Sequence, residues 1–165
     1  LITNWLRNPP SWFSNINALI ILNYKPIVSS SNEMVTDRET LTSFYRTVSE
    51  CKILKIGFDS CCIPGIVTWM NVNHSLIESC EAARFSAFIS EDMKMYPCSF
   101  MVRTDDYGDL HKSTLKDIWL HNKSFIDFRR KVLEKHCANC FHQDLCKGGC
   151  PVFPEINQCG CYSND

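Results

Sequence analysis

The first half of the chain alternates between apolar strand patterns and an amphipathic helix pattern. Residues 17–23 contain an unbroken apolar run, which predicts a strand buried on both faces. Residues 37–50 carry apolar side chains at helical spacing after a capping-box sequence that starts at Thr36, which predicts a helix. Residues 52–59 alternate apolar and polar positions, which predicts a second strand. This order indicates a β–α–β unit.

The pattern predicts shorter elements after this unit. They are a turn at Pro64-Gly65, a helix over 73–83, strands over 85–89 and 94–100 that form a hairpin, a turn at 108–110, and helices over 114–120 and 124–135. The remainder is cysteine-bearing loop. The sequence therefore predicts an α/β part followed by a smaller α+β part.

Composition and charge narrow the classes of partner. The chain has 165 residues, a hydrophobic content of 45% and a formal net charge of −1. It has no basic run, and phosphate contacts need clustered Lys and Arg, so we expect no nucleic-acid partner. No apolar stretch approaches the roughly 18–20 residues of a membrane span, and no signal peptide is visible. We therefore expect no membrane partner and a cytoplasmic location.

Eleven cysteines set this sequence apart from an ordinary globular domain. They occupy positions 51, 61, 62, 80, 98, 137, 140, 146, 150, 159 and 161. An odd number does not suit a fully paired disulfide framework, and cysteines two residues apart do not suit disulfides between separate elements. In a reducing cytosol, clustered cysteines favour metal binding.

The strongest motif is a C-x2-C-x5-C-x3-C run, formed by Cys137, Cys140, Cys146 and Cys150. The first two cysteines can bind one metal centre from a single turn, and the third can return to it. Gly148-Gly149 removes side chains beside the motif, so backbone N–H groups can approach sulfur. Cys159 and Cys161 lie close enough downstream to supply a fourth ligand.

Two other metal-binding classes compete with an iron–sulfur centre. A structural zinc site needs four ligands, and the cysteines of the run could provide them as part of a non-catalytic binding module. A stand-alone electron-transfer protein is the other alternative, although the compact C-x2-C-x2-C run of simple ferredoxins is absent.

The spacing of seven cysteines resembles the SPASM domain of radical SAM enzymes. That motif is Cys, nine to fifteen residues, Gly, four residues, Cys, then C-x2-C-x5-C-x3-C and a final Cys. This chain has Cys80, twelve residues, Met93, four residues and Cys98, followed by the run that starts at Cys137. Met93 departs from the family Gly, which would ease a turn with positive φ.

The resemblance implies two auxiliary [4Fe–4S] clusters. The first would be bound by Cys80, Cys98 and Cys150. The second would be bound by Cys137, Cys140, Cys146 and a final cysteine, Cys159 or alternatively Cys161. A cluster normally takes four thiolates, so the first set lacks one ligand. Cys61 or Cys62 could supply it, one iron could stay open, and His74 is a further candidate.

The resemblance also implies a fold and an activity. Residues 1–75 would be the end of the partial (β/α)6 barrel of a radical SAM core, and residues 76–165 the cysteine-rich domain with its β-hairpin and short helices. The SAM-binding C-x3-C-x2-C motif is absent and the first residue is Leu. We therefore expect a piece of a longer enzyme that carries SAM and a third [4Fe–4S] cluster, modifies a peptide or protein, and receives electrons from a flavodoxin or ferredoxin.

Outside the motif, a few residues carry chemistry of their own. Asp59 is a candidate catalytic acid at a predicted strand end, with a structural cap as the alternative. Cys51 is expected to be a buried thiol. Four histidines are expected to be surface residues, namely His111, His121, His136 and His142.

Overall fold

The computed structural model describes residues 1–25, 37–134, 137 and 139–159. Their α-helices are α1 (Ile2–Arg7), α2 (Arg38–Glu50), α3 (Ile63–Trp69), α4 (Leu115–His121), α5 (Lys123–Leu133) and α6 (Gln143–Cys146). Their strands are β1 (Ala18–Ile21), β2 (Lys55–Phe58), β3 (Phe88–Ile89), β4 (Lys94–Tyr96) and β5 (Gly108–Asp109). Short 3-10 turns cover Ser11–Asn15, Ser60–Cys62, His74–Leu76, Ser99–Met101 and Pro154–Ile156.

The first two strands pair in parallel, as the β–α–β order predicts. β1 pairs with β2 in a register that sets Ala18 opposite Lys55, and α2 connects them in sequence. Asp37 caps α2 by accepting the N–H of Thr40 at 2.8 Å. Thr36, where the predicted capping box begins, lies outside the described residues. The assignment of residues 1–75 to a partial barrel stays a prediction.

The prediction that β1 is buried on both faces is wrong. Ile20 is 59% exposed and the following Leu22 is 69% exposed, whereas Ile21 is buried. In the described part of the chain β1 pairs only with β2, so helices cover one face of a narrow sheet. An apolar run alone cannot distinguish a fully covered strand from one at such an edge.

Two predictions for the segment after β2 are also wrong. Pro64 does not turn the chain but lies in the first turn of α3, where its missing N–H would have no intrahelical partner. The helix predicted over 73–83 is reduced to the 3-10 turn His74–Leu76, capped by Asn73.

A three-stranded antiparallel sheet replaces the simple hairpin expected around residue 90. β4 lies in the centre between β3 and β5. β3 and β4 are both shorter than the ranges predicted for the hairpin strands. Gly108 was expected in a turn but belongs to β5. A Cβ there would lie 2.2 Å from Cγ2 of Ile118, so the residue also permits close packing of α4 on the sheet.

Met93, at the turn between β3 and β4, has a φ of 58°. Its N–H donates to the Ser90 carbonyl at 3.0 Å, and its own carbonyl accepts the N–H of Leu110. The turn therefore keeps the left-handed conformation that the family Gly would ease, at a steric cost to the Met93 backbone.

The apolar core divides into an N-terminal and a C-terminal part. α1, α2, α3 and the parallel strands contribute two clusters that include Leu6, Tyr45 and Ile66. The sheet β3–β5 packs with α4 and α5 around Phe125 and Met95, which are almost fully buried. Each half thus buries its own apolar side chains.

The C-terminal segment returns to the N-terminal half. Gln158 accepts a hydrogen bond from the Tyr45 hydroxyl at 2.6 Å, and its carbonyl accepts the Trp69 indole N–H at 2.6 Å. Asn23 donates to the carbonyl of Ile156 at 3.1 Å. These contacts bring the loop that follows α6 against the carboxyl end of the parallel strands.

The helices of the described residues include none that is long and apolar enough to span a bilayer.

Replacing Phe125 by Ala should lower the free energy of unfolding by about 3–5 kcal/mol, because its ring is fully buried among α4, α5 and the sheet. Ile126 is the matched control, since it is 46% exposed and Ile126→Ala should change stability by no more than about 0.5 kcal/mol. Urea denaturation measures both values. Equal effects of the two substitutions would contradict the assignment of Phe125 to this core.

Met93→Gly should raise the free energy of unfolding by about 0.5–1 kcal/mol, because glycine removes the Cβ clash of the left-handed conformation. The Met93 side chain is 43% exposed, so little packing is lost. Met93→Ala retains the Cβ and should not reproduce the gain. Denaturation curves that place Met93→Gly below the parent protein would show that the turn has another conformation.

Candidate functional site

Four cysteines from distant parts of the chain form what we call the first cysteine group: Cys61, Cys80, Cys98 and Cys150. The side chains of Cys61 and Cys150 are neighbours that shift each other's pKa, lowering that of Cys61 and raising that of Cys150. Cys61 also interacts electrostatically with both Cys80 and Cys98. Three of the four line one cavity of about 1020 Å³, at the end of β2. The group therefore joins residues separated by up to 89 positions in the sequence, the difference between 150 and 61.

Local structure positions each sulfur of this group. Cys61 lies in the 3-10 turn that follows β2, and Cys98 lies directly after β4, before the turn Ser99–Met101. The backbone N–H of Phe153 donates to the Cys150 sulfur at 3.4 Å, and the backbone N–H groups of Ala82 and Phe100 act to lower the pKa values of Cys80 and Cys98. Such N–H donors are typical of thiolates that bind iron–sulfur clusters.

Burial and mutual contact set the electrostatics of the first group. Burial raises the pKa values of Cys80 and Cys98. The interaction with Cys61, followed by burial, raises the pKa of Cys150. The same interaction lowers the pKa of Cys61, and the nearby Lys25 ammonium lowers it further. Cys61 is thus the thiol of this group that most readily ionises.

A second cysteine group consists of Cys137, Cys140 and Cys146. The N–H of Cys140 donates to the carbonyl of Cys137 at 2.9 Å, which closes the turn between them. Burial raises the pKa of Cys146 to about 11, with Cys137 and Cys140 as further electrostatic causes. The Gly149 N–H donates to the Cys146 carbonyl at 3.1 Å, and the backbone N–H groups of Gly148 and Gly149 partly offset the rise in the Cys146 pKa.

The two groups meet at a glycine turn braced by Asn157. Gly148 and Gly149 both have a φ of 79°, so the chain reverses between Cys146 and Cys150. Asn157 accepts the N–H of Cys150 at 2.9 Å and donates to the carbonyl of Gly148 at 3.1 Å. A Cβ on Gly149 would lie 2.1 Å from Oδ1 of Asn157. This turn directs Cys150 toward the first group and leaves Cys146 with the second.

Sequence reasoning missed Asn157, because no residue spacing marks an amide that braces a turn eight residues upstream. It also missed Lys25. That ammonium lies 2.7 Å from a carboxylate oxygen of Asp59, with only 6% of the lysine side chain exposed. Asp59 also accepts the N–H of Asn23 at 3.3 Å. Asp59 therefore forms an ion pair at a strand end, and its assignment as a catalytic acid stays a prediction.

The structure separates the adjacent Cys61 and Cys62. Cys62 is buried, and its sulfur donates to the Asp59 carboxylate at 3.2 Å. Burial raises its pKa, with the Asp59 hydrogen bond as the next cause. Of the two candidates for the fourth ligand, Cys61 is therefore the one that faces the group.

The remaining candidates lie elsewhere. Cys159 borders a different cavity of about 1340 Å³ beside Tyr45 and Trp69, and Cys161 lies outside the described residues, as does His136. The rings of His74 and His142 are in edge contact with centroids 6.0 Å apart, so His74 adjoins the second group's loop.

The structure tests the predicted exposure of three histidines and one cysteine. His111 and His121 are exposed, as predicted. His142 is half-buried, and its Nδ1 is buried without a hydrogen-bond partner among the described residues. Cys51 follows α2 and is only partly buried, although it packs on the core of the N-terminal half.

These residues fit an iron–sulfur cluster better than a single ion. Buried thiols in mutual contact resist ionisation unless a positive centre accompanies them, and cluster iron supplies that charge. Within the described ranges, no three His, Cys, Asp or Glu side chains form a site for one metal ion. Thiolates of one cluster bind different irons and stand about 6–7 Å apart, farther than the four thiolates of a zinc ion.

Comparisons with known proteins agree with this chemistry. Residues 80–141 match the family model of SPASM, an iron–sulfur cluster-binding domain. Mycofactocin maturase MftC of Mycolicibacterium smegmatis is 27% identical over 89 residues, which are 53% of this chain and 21% of that protein. The chain thus spans about a fifth of the length of this curated relative. No solved structure matches the chain significantly.

The matched residues contain two cysteines of each group. They are Cys80 and Cys98 of the first group and Cys137 and Cys140 of the second. Cys61 lies before it, and Cys146 and Cys150 lie after it. The matched segment includes the antiparallel sheet, α4 and α5, around which the C-terminal core forms. Over residues 80–141, this chain is therefore similar to the SPASM family of iron–sulfur cluster-binding domains.

Proposed function

We propose that this chain is the auxiliary-cluster region of a radical SAM enzyme that modifies a peptide or protein, and that it holds two [4Fe–4S] clusters. The observation that carries the proposal is the division of the cysteines into two groups on either side of the Gly148-Gly149 turn. A SPASM match over residues 80–141 supports the cluster chemistry, and likeness to a maturase supports a peptide substrate.

The first cluster would be bound by Cys61, Cys80, Cys98 and Cys150. Contacts among their side chains support this set, because each of the other three interacts with Cys61. Four thiolates complete an ordinary cluster, so no open iron or His74 ligand is needed. The set would also join the strand end of the N-terminal half to the C-terminal domain.

The second cluster would be bound by Cys137, Cys140 and Cys146, with Cys159 or Cys161 as the fourth ligand. The electrostatic contact among the first three supports their common role. N–H groups of Gly148 and Gly149 would stabilise the Cys146 thiolate, because hydrogen bonds to a charged sulfur favour its ionised form.

When bound, the clusters would act as one-electron carriers, and the protein would supply their ligands and surroundings. The 1020 Å³ cavity beside the first group has an apolar wall that includes Ile66, Met70 and Phe88. That wall would exclude water from part of the site and offer space for a substrate side chain. The SAM-binding part of the barrel and a third cluster would belong to the complete enzyme, which would draw electrons from a flavodoxin or ferredoxin.

A zinc-stabilised binding module remains the competing function. It would use Cys137, Cys140, Cys146 and Cys150 around one ion. The interaction between Cys150 and Cys61 weighs against it, because it associates Cys150 with the first group. An electron-transfer protein acting alone would have the same clusters but would occur without a SAM-binding partner domain.

Cys61→Ala should lower the iron and acid-labile sulfide content of the full-length, anaerobically reconstituted protein, because it removes one thiolate of the first cluster. Cys62→Ala is the matched control from the next position and should leave both contents unchanged. Cys137→Ala should remove the second cluster and preserve the first. Iron, sulfide and zinc analyses per chain measure these outcomes.

Two results would contradict the ligand assignment. Equal metal contents in the Cys61 and Cys62 variants would remove Cys61 from the first cluster. A colourless protein with stoichiometric zinc, and no capacity to take up iron and sulfide, would favour the zinc module instead.

The isolated 165-residue chain should neither bind nor cleave SAM, because it has no C-x3-C-x2-C motif: Cys146 and Cys150 have the first spacing, but Phe153 occupies the third position. Incubation with SAM and dithionite, followed by assay for 5′-deoxyadenosine, checks this. Formation of 5′-deoxyadenosine by the isolated chain would refute it.

A further inference from the structure

Lys25 is a buried cation beside the first cysteine group. Only 6% of its side chain is exposed, and its ammonium lies 2.7 Å from Asp59 and 3.3 Å from the Asn23 carbonyl. The Phe100 ring covers it, with the ring centroid 4.5 Å from Nζ. Burying an ammonium is unfavourable unless several partners compensate for the lost water. These contacts fix the charge at one position.

The Lys25 ammonium also lies near a side chain outside its ion pair with Asp59. Its charge acts on the Cys61 side chain, and Lys25, Cys61, Cys80 and Cys98 all line the same cavity. Asn23 donates to the carbonyl of Cys61 at 2.9 Å, so the strand end that precedes Lys25 also holds the Cys61 backbone. Asp59 instead accepts the sulfur proton of Cys62. Lys25 therefore lines the cavity of the first group, and its counter-ion Asp59 lines the same cavity.

We propose that Lys25 is a positioning residue that raises the reduction potential of the first auxiliary cluster through its buried positive charge beside Cys61. This inference rests on the proposed function. Nothing in the cysteine spacing indicates it, because Lys25 lies 36 positions before Cys61 in the sequence, the difference between 61 and 25.

The direction of the effect follows from charge. On reduction, one electron passes from an added reductant such as dithionite to the cluster, and no bond forms or breaks. The cluster gains one negative charge, which a nearby cation stabilises more in the reduced form than in the oxidised form. Hydrogen bonds to cluster sulfurs act in the same direction.

Lys25→Met should lower the midpoint potential of the first cluster in the full-length, reconstituted protein. We expect at least a tenfold fall in the ratio of reduced to oxidised cluster at the parent midpoint, which is about 59 mV for one electron. The readout is an EPR-monitored redox titration of the signal that Cys61→Ala abolishes. Lys25→Arg keeps the charge and should retain most of the potential.

Lys112→Met is the control for general loss of charge. Lys112 forms a comparable ion pair with Asp109 at 3.0 Å, but its side chain is 81% exposed and lies outside the cavity. This variant should titrate like the parent protein, because solvent and salt screen an exposed charge. The second cluster's signal should stay unchanged in every Lys25 variant.

Asp59→Asn tests the same electrostatics in the opposite direction. It removes the negative counter-charge and leaves the Lys25 ammonium, so the midpoint should rise. If Lys25→Met does not bind the first cluster, the midpoint potential of Asp59→Asn is the deciding measurement.

The possible outcomes separate the two proposals. A parent protein without the Cys61-dependent signal would contradict the proposed function itself. A parent signal whose midpoint is unmoved in Lys25→Met, or in Asp59→Asn where the first variant holds no cluster, would overturn only the role of Lys25. A shift of equal size in Lys112→Met would overturn it as well.

Discussion

The interaction between the Cys61 and Cys150 side chains is the contact on which the arrangement of the site depends. Cys61 follows a strand of the N-terminal half, and Cys150 belongs to the cysteine-rich loop near the C-terminus. Gln158 reinforces the same junction through Tyr45 and Trp69. Each half has its own apolar core, so this polar junction, rather than shared hydrophobic packing, brings the ligands of the first group together.

Desolvation explains why such a junction suits a cluster. Burial raises the pKa values of Cys80 and Cys98, and contact with Cys61 followed by burial raises that of Cys150. A group of buried thiols is therefore stable when protonated or when a positive centre binds its thiolates. We infer that cluster binding supplies much of the free energy that holds the two halves in this arrangement. Lys25 prepares the site by favouring the Cys61 thiolate.

Local patterns predicted much of the fold, whereas long-range contacts were beyond them. Helical spacing located α2 and α5 to within about two residues, and Cys spacing selected the SPASM resemblance. The apolar run at β1 suggested full burial, but coverage of a strand depends on neighbours that the run does not contain. Lys25 and Asn157 escaped prediction for the same reason, since their partners are defined by folding.

The central claim is that Cys61, Cys80, Cys98 and Cys150 bind one cluster and that Cys137, Cys140 and Cys146 bind another. Anomalous diffraction at the iron absorption edge, from anaerobically grown crystals of the full-length protein, tests it most directly. The account predicts separate iron peaks beside the two groups, with the Cys61 and Cys150 sulfurs both bonded to iron of the same peak. A single peak enclosed by Cys137, Cys140, Cys146 and Cys150, with Cys61 distant from any metal, would contradict it.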